Sequence, residues 1–433
     1  MFGLSVVFIS DEKIAEDLLV KRAKIYSDRP AVLAMADSKS THGSMEYLPL
    51  MGKNQHWSRQ RKWAHGSLKL AVNPSYESII DFEVQRMLFK LSQTPENFQF
   101  LLEDMPSKVA CTLAWDDPDS SEKNTQSARD LLFQISPSGA ITNRLPMLWY
   151  LPLWLNPWKR AENARYDALH RWWVERLEVV SKRMKEGAQR PCWALRYLSE
   201  DQSALTGSDE AAACVGMMSL VSVLTIGGPL QYFTMAMVHN ADWLKRCQEE
   251  IDQACNGRMP SLSDAPKLPI LRACIKETMR WRPNVPTGVA HELQADNIYQ
   301  GYFIPKGTKI VPLECAFLRN PLKYPDPETF RPERWLEPSW PTYQEPLTQY
   351  PTIKGMSSFG WGQRTCLGQS LTEDVLLAAC GGLCWNFNLK FKMDFQTKTK
   401  IDIPTDVSNS LLIIKPDNFA VHFEPRRNGG TKH

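Results

Sequence analysis

Ten residues near the C-terminus, Phe359 to Gly368, read F-G-W-G-Q-R-T-C-L-G. They place one thiol, Cys366, just ahead of an apolar run with helical spacing (Leu367, Leu371, Val375, Leu376, Ala379, Leu383). Unpaired backbone N–H groups and the positive dipole end at a helix N-terminus favour a thiolate, so this spacing predicts an activated sulfur. Arg364 sets a charge two residues away, Phe359 gives an apolar cover, and Gly362 and Gly368 permit turns or a close approach of backbone to something flat. Standing alone, a free cysteine is usually a small buried residue. A dry thiolate, an arginine for an anionic group and room for a large planar object are what haem iron needs on its proximal side.

A second constellation lies upstream. In I-K-E-T-M-R-W-R-P, from Ile275 to Pro283, Glu277 and Arg280 are three apart and can pair along a helix. Most such pairs are solvated surface contacts. Trp57 and Arg61 are four apart and share a face, which alone reads as a basic surface helix anchored by a tryptophan. Cys380 and Cys384 lie one turn apart, and two ligands without a partner cluster read as core residues.

The cysteine stretch resembles the signature F-x-x-G-x-R-x-C-x-G of the cytochrome P-450 haem-thiolate monooxygenases, with Phe359, Gly362, Arg364, Cys366 and Gly368 at the fixed positions. The resemblance runs from the first strand to Pro425-Arg426. It implies heme b with Cys366 as axial ligand. It implies a buried triad of Glu277, Arg280 and Arg334, the last from F-R-P-E-R-W at 330–335, locking the meander that carries the cysteine loop. It makes Trp57 and Arg61 propionate contacts, and it sets His291 where the family has a propionate-binding residue. Without it, His291 reads as a surface histidine on a strand spanning Thr287 to His291.

The elements that must hold these groups are mostly helical. Ala211 to Val238 is 28 residues without one charge, long and apolar enough to span a membrane, but it carries Ser219, Ser222, Thr225, Gln231 and Thr234 and is interrupted by Gly227-Gly228-Pro229. An all-round apolar helix is also what a fully buried one looks like, and the haem signature decides for that reading. By resemblance the segment crosses over the haem, and Val221 to Thr225 falls on the family's A/G-G-x-D/E-T/S proton relay. Thr225 keeps the alcohol and Leu224 replaces the acid. The plain reading of Thr225 is a helix threonine bonded to its own backbone. Pro229 has no N–H and sits four residues on, so the Thr225 carbonyl is expected to be freed, ready with the hydroxyl to hold water or dioxygen.

Elsewhere, Ile14 to Arg22 reads as a short amphipathic helix, and Ser27 to Pro49 as a loop that in the family lines the substrate pocket. Phe82 to Leu113 and Gln126 to Ile135 read as helices separated by a disordered-looking acidic loop at Asp116 to Lys123. Gly301 to Thr308 reads as a hairpin turning at Pro305 and Gly307, and Val407 to Leu411, by resemblance, as a tip near the substrate. Leu145 to Trp158 is aromatic and punctuated by three prolines, which forbid a continuous helix, and basic residues follow it. Tryptophans beside basic residues suit a loop dipping into a membrane interface, where the family has its membrane-facing substrate entrance.

Composition bounds the rest. The 433 residues carry a net charge of +3, which gives no reason to expect a nucleic acid partner, and ten scattered cysteines with no signal peptide point to a reducing compartment. Met1 to Ser10 is too short to span a bilayer, and Gly3 to Ile9 resembles the family's second strand. The expectation is a single cytochrome P-450 domain over 1–433, mainly α (α+β), a helical triangular prism with a small β region, truncated so that the N-terminal anchor and first strand are absent. The expected activity is monooxygenation of an apolar or aromatic small molecule, in the manner of fungal secondary-metabolism members. It would use dioxygen and electrons from an NADPH-cytochrome P-450 reductase, at the cytosolic face of the endoplasmic reticulum membrane. Leu224 keeps open a haem-thiolate isomerase, dehydratase or oxidative coupling enzyme, and the missing N-terminus a non-catalytic haem-binding protein.

Overall fold

The apolar segment forms one helix, Gly207–His239, that is buried along almost its whole length. In the computed structural model, which describes residues 5–35, 44–70, 74–188, 190–200, 202–406 and 411–426, the other long helices gather around it. In chain order they are α1 (Gln55–Leu70), α2 (Pro74–Gln93), α3 (Phe98–Trp115), α4 (Ser121–Ile135), α5 (Pro157–Lys185), α6 (Trp193–Glu200), the central α7 (Gly207–His239), α8 (Ala241–Ala254), α9 (Pro269–Trp281) and α10 (Gln369–Asn386). Small residues let α7 sit this deep. Gly216 lies so close to the Trp173 ring of α5 that an added Cβ would overlap it at 2.4 Å. Leu, Met and Ala side chains fill the remaining faces, removing a large apolar area from water.

Strands are few. β1 (Val6–Ile9) runs parallel to β5 (Lys309–Pro312), with Val6 opposite Lys309, and β2 (His291–Glu292) pairs antiparallel on the other side of β5. The hairpin of β3 (Asn297–Tyr299) and β4 (Tyr302–Ile304) and the pair β6 (Phe387–Phe391) with β7 (Val421–Pro425) complete the β region. A small second core under the β1 sheet holds Ile9, Leu18, Tyr26 and Ile310.

Several expectations shift. The Ile14–Arg22 helix is present but widens into a π turn at Glu16–Lys21. The break expected after Leu113 is preceded by another, because Pro95 ends α2 and a 3₁₀ turn leads into α3. The acidic stretch from Asp116 is ordered: Asp116 takes a left-handed conformation, and its carboxylate meets Arg183 at 3.2 Å and Arg190 at 3.0 Å. Asp117 accepts from Ser120 and Arg176, so partners distant in sequence stiffen what local composition leaves loose. The hairpin turns at Gln300-Gly301, both with positive φ, while Pro305 and Gly307 shape the next turn, into β5. Of the strand expected from Thr287, only His291 belongs to one. Residues 407–410 of the expected substrate-side tip lie outside the described residues.

Candidate functional site

The cysteine loop is two 3₁₀ turns, Ser357–Phe359 and Gly362–Arg364, closed by the Cys366 N–H donating to the Phe359 carbonyl at 2.7 Å. Phe359 is buried beneath it. Gly362 has φ +52°, and a Cβ there would meet the Leu19 carbonyl oxygen at 2.1 Å, so only glycine fits. Gly368 has an ordinary φ and caps α10; its open side faces the Cys366 sulfur, 3.8 Å from where a Cβ would stand. The sulfur accepts the Gly368 N–H at 3.3 Å. Cys366 is the one exposed cysteine of the ten, yet protein rings it. Burial pushes its thiol up, and the Gly368 N–H and the Arg61 charge only partly oppose that. The expected helix-driven activation is therefore outweighed: desolvation by the surrounding protein wins over the dipole.

Beside the sulfur stands a positive cluster that one acidic side chain, Asp28, only partly offsets. The Arg364 guanidinium is buried, sits 4.2 Å from the Trp57 ring centroid and donates through Nε to the Ser27 carbonyl at 2.7 Å. Its Nη1 and Nη2 are buried without a partner. Arg61 lies over the same indole at 5.9 Å and donates to the Thr365 carbonyl, which joins α1 to the cysteine loop. Arg29, which no periodicity or spacing marks in the sequence, completes the cluster. It is buried and donates to the Pro49, Val289 and Ala290 carbonyls. Burial first, then mutual repulsion, pushes Arg364 down to about 8 and Arg29 to about 9. His291 is buried, not a surface histidine, and its Nδ1 pairs with the Tyr26 carbonyl at 2.8 Å. Burial, helped by Arg29 and Arg364, holds it well below the usual histidine range, so it is neutral and its Nε2 offers a lone pair rather than a proton. Glu210, fully buried in the first turn of α7, fixes α1 in place by accepting from Arg59 at 3.3 Å and pairing with His56 at 3.1 Å.

Between Ala211 and Val238, Val221 and Thr225 are the only two residues that are not buried. They are four apart, so they share a single face of α7. The Thr225 hydroxyl donates to the Val221 carbonyl at 2.7 Å. Its own carbonyl is not free: the Asn284 side-chain amide donates to it at 3.2 Å, which corrects the expectation built on Pro229. Leu224 is buried, and no carboxylate takes its place in the sequence of this turn.

The second constellation does come together. Arg280 grips the Glu277 carboxylate with two bonds of 2.8 and 2.9 Å, and Arg334 reaches it at 3.2 Å, all three side chains fully buried. The Trp335 indole N–H and the Arg331 backbone N–H also donate to it, at 3.0 and 2.9 Å. Glu314 holds the start of the cysteine loop, accepting from Ser357 at 2.8 Å and Ser358 at 2.7 Å.

Residues 1–421 match the family model described as Cytochrome P450. The chain is 33% identical over 403 residues to the cytochrome P450 monooxygenase psoD of Aspergillus fumigatus, covering 90% of this chain and 76% of that protein. It is 30% identical to the cytochrome P450 monooxygenase virE of Hypocrea virens, covering 98% and 78%. A zebra fish cytochrome P450 solved with progesterone superposes with a TM-score of 0.77 at 19% identity, over 97% of this chain and 93% of that one, a likeness of fold.

Two expected outcomes follow from the buried carboxylates. Glu277→Ala leaves Arg280 and Arg334 without their counter-ion and should cost about 3–5 kcal/mol, read as lost soluble protein or an early urea midpoint. Burial holds Glu314 up at about 7 against an ordinary 4.5. Between those values the folded state binds more protons than the unfolded one, so this group's contribution to stability falls as pH rises and is lost above about 7. Glu314→Gln should match the parent near pH 5 and unfold at higher urea than the parent at pH 8.

Proposed function

The chain belongs to the cytochrome P450 family, and from that premise we propose that this haem-thiolate monooxygenase inserts oxygen into an apolar or aromatic small molecule during secondary-metabolite synthesis. The residues present fit the cofactor. Cys366 offers an exposed sulfur. The buried, unpartnered Nη1 and Nη2 of Arg364, beside Arg61 and Arg29, suit the two carboxylates of heme b. That orphaned guanidinium carries the reading most directly, since a buried charge without a partner is costly unless an anion meets it. When bound, the haem supplies dioxygen activation with electrons from outside the chain.

The chain's own residues then have distinct tasks. Arg364 and Arg61 would bind and orient the carboxylates, with the Trp57 indole as the flat surface on which both guanidiniums rest. His291 would accept rather than donate at Nε2, which makes it a spacer on that rim. Phe359 and the closed loop exclude water behind the sulfur. Thr225 would hold a water through the lone pairs of Oγ1 while its O–H donates to the Val221 carbonyl, and when that bond breaks would hand its proton on as the bound water returns one to Oγ1. Leu224 leaves this relay with an alcohol alone, which favours as a second reading an isomerisation, dehydration or coupling that needs little proton delivery. The triad of Glu277, Arg280 and Arg334 would keep the meander rigid enough to present the loop.

Electrons would come from an NADPH-cytochrome P450 reductase, and the chain would work at the cytosolic face of the endoplasmic reticulum membrane. The Leu145–Trp158 stretch supports that placement. It forms two 3₁₀ turns, pinned where the Asn156 amide donates to the Leu148 carbonyl and its oxygen caps α5. Tyr150 and Trp154 project 76% and 72% exposed, next to Arg144, Lys159 and Arg160. Aromatics at headgroup depth with flanking cations suit an anionic interface.

A carbon-monoxide difference spectrum of the reduced protein should show a thiolate-type band that Cys366→Ala abolishes; a parent protein that binds no hemin would overturn the reading. With reductase and NADPH, Thr225→Ala should lower product formation on the order of a hundredfold and divert electrons to peroxide. Unchanged coupling would remove the relay and favour the second reading. The chain should float with anionic liposomes, and Trp154→Asp with Tyr150→Asp should weaken that flotation.

A further inference from the structure

The turn of α7 that bears Thr225 has a defect written into its sequence. In an unbroken helix the Thr225 carbonyl would accept from the N–H of residue 229, but residue 229 is proline. The helix nevertheless runs through from Gly207 to His239. A buried carbonyl without a donor is expensive, and the chain supplies one from far away. The amide of Asn284, just beyond α9 and itself 8% exposed, donates to the Thr225 carbonyl at 3.2 Å. A carbonyl only accepts, so the amide must present its nitrogen there.

Space and connection agree with this pairing. Gly228 is next to the proline, and a Cβ there would stand 3.5 Å from the Asn284 Cβ and 3.3 Å from the Ile414 carbonyl oxygen, so the small residue lets Asn284 come close. The backbone carbonyl of Asn284 accepts from the Ile414 N–H at 2.7 Å. One residue thus ties its own segment to two others: its side chain holds α7, and its main chain holds the irregular stretch at Ile414.

We infer that Asn284 is a positioning residue for the reaction, standing in for the N–H that Pro229 lacks and so fixing the turn that carries the partly uncovered Thr225. Asn284 acts through Thr225 and touches no reacting atom. The catalytic consequence rests on the relay role proposed for Thr225; the structural consequence does not.

The Pro229 defect supplies the test. Asn284→Leu and Asn284→Asp each remove the donor and leave the Ile414 bond, which uses backbone, intact. In the parent background either change should shift the local equilibrium of this turn by roughly five- to hundredfold, seen as faster amide exchange over residues 221–228 and more peroxide released per NADPH. Pro229→Ala restores a backbone donor, so in that background Asn284→Leu should lose most of both effects. Equal effects with and without Pro229 would overturn the inference. Loss of the exchange coupling overturns it even if Thr225→Ala abolishes turnover. Intact exchange coupling with no change in peroxide, together with an inert Thr225→Ala, instead overturns only the relay role and leaves Asn284 as the donor to Thr225.

Discussion

One fully buried carboxylate, that of Glu277, organises the side of the molecule behind the sulfur. Two guanidiniums, an indole N–H and a backbone N–H converge on its two oxygens, drawing together α9, the 3₁₀ turn Pro332–Trp335 and the meander around them. Two cations against one anion would leave a residual positive charge in a low-dielectric interior. Carbonyl oxygens of Leu318, Pro327, Thr329 and Asp326 absorb it, and these same contacts fix the path of the chain leading to the cysteine loop. Such a cluster gives less stability than an apolar core of equal volume, but it tolerates only one arrangement of its strands and turns. Geometry at the sulfur inherits that intolerance.

How much of this was readable in advance depended on distance along the chain. The cysteine loop is local, so fixed spacings gave its residues, while the structure adds why Gly362 admits no side chain and that burial outweighs the expected activation of the thiol. The apolar segment was readable as one helix because apolarity on every face has few solutions. The acidic stretch at Asp116 was misread because its partners Arg176 and Arg183 lie about sixty positions on, where composition cannot see them. Arg29, Asn284 and Glu314 were invisible for the same reason. Each owes its importance to a contact with a segment far away in sequence, and nothing in its immediate neighbours announces it. His291 lies on a strand as expected, and its burial goes against the surface reading that its neighbours alone suggest.

The central helix and the arginine cluster show opposed kinds of economy. Between Ala211 and Val238, α7 carries no charge and leaves only Val221 and Thr225 less than buried. At the cluster, the chain gathers guanidiniums on a single indole and withholds carboxylates from them; Asp28 is the one acidic side chain that offsets Arg364 and Arg29.

The crowding of Arg29, Arg61 and Arg364 has a bearing on life in the cell. Whatever relieves their repulsion binds only the folded form and therefore holds the polypeptide in it, by a margin set by ligand concentration over its dissociation constant. A cell short of tetrapyrrole would thus keep fewer copies of this enzyme, because unloaded chains unfold more often and meet proteases sooner. Abundance would follow cofactor supply with no regulator involved.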